Sequence, residues 1–96
     1  MNEQELADIY KALSVPSRLT ILKKLRERSL CVNAITRMLD ISQPAVSQHL
    51  SVLKQAGLVV AMKEGPMIHY SLNKEKLREF NQGVAQVLGK DFVSAD

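Results

Sequence analysis

A group of uncharged polar side chains recurs along one side of the segment between residues 42 and 55. At about 100° per residue of a helix, they lie away from the apolar positions Val46, Leu50 and Leu53. The group consists of Gln43, Ser47, Gln48, Ser51 and Gln55. Hydroxyl and amide groups donate and accept hydrogen bonds, and glutamine pairs bidentately with adenine in the major groove of DNA. These residue types therefore suit the reading of base edges; the alternative is an ordinary polar helix face, which usually carries more Glu and Lys.

Two short helices joined by a tight turn would hold this polar side outward. The apolar stripe of the first helix is Ile35, Met38 and Leu39. Asp40 then lies where a left-handed residue would end that helix, a conformation that Asp tolerates. Ser42 is placed to cap the second helix, with Pro44 confined to its first turn. The pattern predicts a helix-turn-helix.

Apolar residues at helical spacing predict two more helices before this pair. The first covers about residues 2–13, and the second begins around Pro16 and ends near Arg28. Their apolar stripes are Leu6, Ile9, Tyr10 and Leu13 in the first and Leu19, Ile21, Leu22 and Leu25 in the second. Residues 29–32 are a short link, with a brief strand as the alternative, and Asn33 is placed to cap the next helix.

After Gly57, which can end the helix in a left-handed cap, the apolar pattern changes to a period of two. Residues 58–63 and 67–72 are β-prone runs joined by Glu64-Gly65-Pro66, which predicts a hairpin with glycine at its tip. Asn73 is placed to cap a last helix. The apolar stripe of that helix is Leu77, Phe80, Val84, Val87 and Leu88. The predicted fold class is mainly α with a small β-hairpin: a winged helix-turn-helix of about five helices and a two-stranded wing.

Length and composition describe one small domain. The 96 residues are 46% hydrophobic and 4% aromatic, which indicates an aliphatic, helix-rich core. We expect a single domain over residues 1–96, with a frayed tail from about residue 90. One cysteine excludes an internal disulfide, and no apolar stretch is long enough for a signal or membrane helix, so we expect a cytoplasmic protein that needs no cofactor.

The positive charge is concentrated more than the mild net value of +3 suggests. Five basic residues and a single acid, Glu27, occupy the segment from residue 18 to residue 28. The basic residues are Arg18, Lys23, Lys24, Arg26 and Arg28. Such a surface suits a phosphate backbone; the alternative is a solvated helix face without a partner.

Several local strings resemble the ArsR/SmtB family of winged-helix repressors. IYKALSVPSRLTIL is similar to that family's opening helix pair, SLCVNAI to its cysteine-bearing box, and LDISQPAVSQHLSVLKQAGLV to its recognition motif and the entry to the wing. The resemblance covers nearly the whole chain. It implies an obligate homodimer whose two recognition helices enter successive major grooves of a palindromic operator.

The resemblance also implies which residues contact double-stranded DNA. The family's base and phosphate contacts correspond to Ser42, Gln43, Ser47, Gln48 and His49. The predicted set is completed by Ser51 and Lys54 of the same helix and by Lys63 and His69 of the wing. Basic residues often found near the wing tip in this family are replaced here by Gly65, Pro66 and Met67.

The first and last helices are expected to form the dimer interface. They carry more apolar positions than a core this small should need. The predicted interface residues are Leu6, Ile9, Tyr10, Leu77, Phe80, Val84, Val87 and Leu88. The alternative is that these residues complete the core of a single protomer.

The chain departs from the family where metals are bound. Metalloid-sensing members carry Cys-Val-Cys where this sequence has Cys31-Val32-Asn33, and the last helix lacks the histidines of the zinc-type site. Neither His49 nor His69 has a partner at metal-ligand spacing along the chain, so we expect no metal site. Cys31 is expected to be mainly a packing residue, with copper(I) binding or reversible oxidation left open as alternatives.

No catalytic arrangement is recognisable, so an enzyme is not expected. The sequence contains no P-loop, no paired carboxylates and no Ser-His-Asp arrangement. Two other functions remain open besides a DNA-binding regulator. A winged helix used for protein contact would predict an apolar or acidic exposed recognition face. A thiol-responsive domain without a DNA role would leave the basic segment unexplained.

Overall fold

The computed structural model describes residues 1–92, which form five α-helices, three β-strands and a final 3-10 turn. In chain order these are α1 (Glu3–Leu13), α2 (Pro16–Leu25), β1 (Leu30–Cys31), α3 (Val32–Leu39), α4 (Gln43–Gln55), β2 (Val59–Glu64), β3 (Met67–Leu72), α5 (Lys74–Leu88) and the 3-10 turn (Lys90–Phe92). The order and type of the predicted elements are confirmed. The predicted frayed tail begins with this 3-10 turn, and its residues 93–96 lie outside the described residues.

Side-chain caps begin three of the helices. Asn2 and Glu5 form a capping box on α1, in which the Glu5 N–H donates to Asn2 Oδ1 over 2.8 Å and the Asn2 N–H donates to Glu5 Oε1 over 3.2 Å. Ser42 and Asn73 cap α4 and α5, as the sequence predicts. The α5 cap is a hydrogen bond of 3.2 Å from the Lys76 N–H to Asn73 Oδ1.

Two predicted helix boundaries are wrong. The cap of α3 is Cys31 and not Asn33, and it makes no side-chain hydrogen bond. The reason is that Cys31 belongs to β1, so the chain passes directly from an extended residue into the helix. Helix α2 ends at Leu25 and not near Arg28, because residues 26–29 are all exposed and a further turn would bury no apolar side chain.

The core lies where α2, α3 and α4 meet the base of the sheet. Its fully buried side chains are Ile21, Ile35, Val46, Leu50, Leu53 and Leu58, each with 0% exposure. Two residues assigned to core stripes from the sequence are instead exposed, Leu19 by 46% and Met38 by 42%. Leu19 precedes the buried Ile21 by two positions, which places it about 200° away around α2.

The predicted two-stranded wing is confirmed as β2 and β3, and β1 joins it in a three-stranded antiparallel sheet with strand order β1-β3-β2. The brief strand that the sequence left as an alternative is β1, and it pairs Leu30 with Tyr70. At the wing tip Glu64 pairs with Met67, so the turn consists of Gly65 and Pro66 alone. Gly65 has a φ of 61°, and proline holds its own φ negative, which is the pattern of a type II′ hairpin turn.

The turn between α3 and α4 contains the left-handed residue that the sequence predicts. Asp40 has φ 54° and ψ 42°, and its backbone N–H donates to the Thr36 carbonyl over 3.1 Å. Gly57 has a φ of 80° directly after the cap of α4, so the predicted left-handed cap there is also confirmed. Asp40 thus ends α3, and Gly57 ends the recognition helix α4.

Replacing Asp40 with Ala should lower the free energy of unfolding by about 1–2 kcal/mol, because Ala lacks the local polar contacts that let Asp and Asn adopt the left-handed conformation. Asp40→Asn is the matched control and should stay near the wild type. Urea denaturation at one fixed protein concentration measures both. Equal stability of the two variants would contradict this account of the turn.

Candidate nucleic-acid interface

Helix α4 turns one polar side to solvent and one apolar side to the core. Val46, Leu50 and Leu53 are fully buried on the inner side. The outer side carries the exposed residues Gln43, Ser47, Gln48, Ser51, Lys54 and Gln55. Within residues 1–92, the side chains of Gln43, Ser47 and Gln48 make no hydrogen bond to the protein, so their donors and acceptors are available to a partner. The structure thus brings together most of the predicted DNA-contacting residues of this helix.

Two of the predicted contacts on α4 have a second role or a different environment. The Ala45 N–H donates to Ser42 Oγ over 3.3 Å, so Ser42 caps the helix as well as lying at its exposed start. His49 is half-buried and lies at the border between the polar and apolar sides. The remaining polar residues stand clear of the core.

The wing carries both predicted DNA contacts, Lys63 and His69, but the two side chains differ in exposure. Lys63 is exposed close to the tip. His69 is half-buried, and its Nδ1 lies 3.3 Å from Glu64 Oε2. Spacing along the sequence does not show this pair, because Glu64 on β2 and His69 on β3 are diagonal neighbours across the hairpin. Only the other ring nitrogen, Nε2, is left for a further partner.

The basic segment does not form one continuous surface. Lys23, Lys24, Arg26 and Arg28 are exposed on and beyond α2. Arg18 instead lines a cavity of about 510 Å³ between α1, α2 and the end of α4, and its Nε is buried without a hydrogen-bond partner in the described part of the chain. Arg18 is therefore removed from the predicted phosphate-binding surface.

The predicted dimer interface divides into a buried part and an exposed part. Leu6 and Ile9 are only 4% and 3% exposed, so they complete the protomer's own core and are not available to a partner. Leu6 is buried because α1 approaches α5 at Gly83, where a Cβ would lie 3.2 Å from Leu6 Cδ1. Leu77 is half-buried against the core. For Leu6 and Ile9, packing within the protomer accounts for the burial, whereas Leu77 stays a predicted interface residue.

An apolar strip remains on the outside of the two terminal helices. The Tyr10 and Phe80 rings pack edge to face, with centroids 5.4 Å apart and an interplanar angle of 76°. Tyr10 is 42% exposed, Val87 56% and Leu88 53%. Phe80 and Val84 are half-buried on the same stripe of α5. We call these five residues the outer apolar strip.

Residue types that bind metals are not clustered in the described part of the chain. Within residues 1–92, no group of three or more His, Cys, Asp or Glu residues is placed to hold a metal ion. Cys31 is a free, half-buried cysteine. With Asn33, Gln43 and Met67 it lines a cavity of about 210 Å³ between the start of α3, the start of α4 and the wing. No helix of residues 1–92 combines the length and apolar character that crossing a membrane requires.

Comparison with known proteins identifies the family. The sequence model for bacterial regulatory proteins of the ArsR family matches residues 15–60. An HTH-type transcriptional regulator of Methanocaldococcus jannaschii is 43% identical over 77 residues, which cover 79% of this chain and 86% of that protein. The chain belongs to the ArsR family. It is thus a winged helix-turn-helix transcriptional regulator, and the resemblance found in the sequence is confirmed.

Other members of the ArsR family agree with this assignment. The HTH-type transcriptional repressor SmtB of Mycobacterium tuberculosis is 34% identical over 86 residues, which are 90% of this chain and 64% of the length of that repressor. An ArsR-like transcriptional regulator from Rhodococcus superposes with a TM-score of 0.81 at 28% identity, covering 88% of this chain and 79% of that one. A homodimeric winged helix-turn-helix DNA-binding domain from Mycobacterium bovis superposes with a TM-score of 0.74 at 30% identity, covering 92% of this chain and 81% of that one.

The capping role of Ser42 can be separated from any role in DNA contact. Ser42→Ala should lower the free energy of unfolding by about 1 kcal/mol, because the Ala45 N–H loses its acceptor. Ser42→Asp keeps an acceptor at the helix N-terminus and should retain the stability of the wild type. The exposed Ser51→Ala on the same helix is the matched control. If Ser42→Ala unfolds at the same urea concentration as Ser51→Ala, Ser42 does not stabilise α4.

Proposed function

We propose that this ArsR-family regulator binds a palindromic double-stranded operator as a homodimer and represses transcription from it. The observation that carries the proposal is the exposed, uncharged polar side of α4, held by a fully buried apolar side. A helix of this kind fits the major groove, where amide and hydroxyl groups distinguish base pairs by their donors and acceptors. The regulator would act in the cytoplasm, as the sequence analysis expects.

The proposed contacts divide into base-reading and phosphate-binding groups. Gln43, Ser47 and Gln48 lie on the first two turns of α4, which are the turns that approach base edges when a recognition helix enters the groove. Lys54 and Lys63 are exposed cations on α4 and the wing and suit phosphate oxygens. Ser42, His49, Ser51 and His69 complete the proposed contact set. The exposed cations after Arg18 in the basic segment add a longer-range attraction to DNA.

Binding to DNA should separate these two groups of contacts. Gln48→Ala should cost about 1–3 kcal/mol on the operator and relax the sequence preference, because a base contact is lost. Lys63→Ala should weaken specific and random duplexes alike and flatten the salt dependence by about one unit, because one phosphate contact is lost.

The measurement is a gel shift against the region upstream of the protein's own gene, with a random duplex in parallel and a salt series for each variant. Gln86→Ala, which removes an exposed glutamine from α5, is the matched control and should bind like the wild type. If Gln48→Ala lowers the affinity for the operator and for random DNA by the same factor, Gln48 does not read bases.

The proposed dimer is supported by the outer apolar strip. Its exposed members on α1 and α5 are apolar side chains that a soluble monomer has no evident reason to keep together. The related domain from Mycobacterium bovis is homodimeric, and the relative from Mycobacterium tuberculosis is named a repressor. Two recognition helices in a fixed relation read half-sites about 34 Å apart, which a palindromic operator supplies.

Val87→Asp should convert the protein into monomers and weaken operator binding, because a charge would be buried in the dimer while the protomer's core is untouched. Gln86→Asp places the same charge one position along α5 on an exposed polar residue and is the matched control. Sedimentation at micromolar concentration gives the assembly state, and the gel shift gives the affinity. A wild-type protein that sediments as a monomer under these conditions would contradict the proposed dimer.

A further inference from the structure

The cavity beside α1 contains a guanidinium group without a partner. Arg18, on the first turn of α2, lines the cavity of about 510 Å³ between α1, α2 and the end of α4. The side chain is half-buried, and its buried Nε has no hydrogen-bond partner in the described part of the chain. The ion pairs formed within residues 1–92 do not include Arg18. Because an unpaired charged donor costs free energy when it is withdrawn from water, this cation is available to a ligand.

The charges around the cavity favour an anion. Besides Arg18, the charged residues that line it are Lys11 and Asp8. Asp8 Oδ1 already accepts a hydrogen bond of 3.0 Å from Gln4 Nε2, and Asp8 also lines an adjoining cavity of about 150 Å³, so it lies at the border between the two. The first turn of α2 carries no acid, so the positive end of the helix dipole adds to the charge of Arg18.

The rest of the wall is mainly apolar. Ala12 of α1 is buried, and Val52 and Ala56 at the end of α4 are half-buried, while Gln55 contributes one amide. The volume lies within the range of about 300–1,000 Å³ that is usual for small-molecule sites. An inorganic ion would leave the apolar wall in contact with water, whereas an anion with a hydrocarbon body would cover it.

We propose that this cavity binds a small organic carboxylate. The carboxylate accepts hydrogen bonds from the planar guanidinium of Arg18, whose fork of donors matches the two carboxylate oxygens. The exposed ammonium of Lys11 adds a weaker attraction. The hydrocarbon body of the ligand packs against Ala12, Val52 and Ala56.

The cavity stays open in the proposed dimer. Asp8 and Ala12 lie two positions before and two positions after Tyr10, which places each of them about 200° away from it around α1. The cavity and the outer apolar strip are therefore on opposite sides of this helix. A partner that packs on the strip would not cover the cavity.

A ligand in this cavity would be linked to DNA binding, and this consequence rests on the proposed function. Val52 and Gln55 belong to α4, whose first two turns carry the proposed base-reading residues. A bound carboxylate also subtracts one charge from a chain whose net charge is only +3, which lowers its attraction to phosphates. We expect the ligand to weaken operator binding, and the operator to weaken ligand binding by the same factor.

The test measures ligand binding to the full chain without DNA. The ¹⁵N-labelled protein is titrated with sodium acetate, butyrate and benzoate at fixed pH and ionic strength, and backbone amide shifts are followed by NMR. The amides of Ala12, Arg18, Val52 and Ala56 should shift along one saturable curve. The affinity should rise from acetate to butyrate by up to about 4-fold for each added methylene, because the apolar wall becomes covered, and benzoate should bind more tightly than acetate. Benzamide, the neutral analogue of benzoate, should leave these amides unshifted.

Variants separate the contribution of Arg18 from that of net charge. Arg18→Gln should weaken benzoate binding by about 10- to 100-fold, because the charged hydrogen bonds are lost. Lys11→Gln should weaken it by only about 2- to 5-fold, since Lys11 is exposed. Lys24→Gln removes one exposed cation of α2 that does not line the cavity and is the matched control. A circular dichroism spectrum checks the fold of each variant, and Lys11→Gln changes no buried group.

Four outcomes would overturn the proposed site. They are shifts that do not saturate with benzoate, equal shifts with benzamide, wild-type affinity in a folded Arg18→Gln, and inorganic phosphate binding as tightly as benzoate, which would show an anion site that makes no use of the apolar wall. A gel shift with and without benzoate then tests the linkage, and the loss of affinity should be larger at low salt, where charges are less screened. Benzoate binding in a protein that fails to bind an operator would count against the proposed function alone.

Discussion

The buried apolar contact between α3 and α4 is the interaction on which the rest of the structure depends. Ile35, Val46 and Leu50 are fully buried there, so α4 cannot rotate without exposing large aliphatic side chains. Removing one such side chain typically costs about 2–5 kcal/mol, which is a large share of a small domain's stability. The orientation of the polar side of α4 is therefore fixed by packing, and its residues need make no contacts within the protein. The left-handed residue Asp40 reverses the chain tightly enough for this contact to form.

The three-stranded sheet adds a second constraint, because it links the segments on either side of the helix-turn-helix. Strand β1 leads directly into α3, and β2 follows α4, while β3 pairs with both strands. The wing is thus attached at the entry and at the exit of the helix pair. A hairpin joined only to the end of α4 would be free to swing about Gly57. With β1 paired to β3, the wing and the recognition helix form one surface whose parts keep their relative positions.

Most of the fold could be predicted because most of it is encoded locally. Helical and alternating apolar periods separate helices from strands, and caps such as Ser42 and Asn73 act within three residues of the group they satisfy. The predictions that were wrong concern features that depend on contacts between distant segments of the chain. The cap of α3 was misassigned because β1 is too short to show a period, and it exists only through its pairing with β3. Leu6 was assigned to a partner's surface because a sequence does not show that Gly83 lets α1 approach α5 so closely.

The wrong cap predicted for α3 and the missed pair of His69 and Glu64 have the same physical cause. Motif spacing along a chain detects ligands that one helix or one loop brings together, since those elements have fixed periods. A sheet instead places residues side by side according to register, which depends on where each strand begins to pair. The pairing of Cys31 with His69 made Cys31 extended, and so moved the start of α3. The register of β2 and β3 likewise set Glu64 diagonally opposite His69.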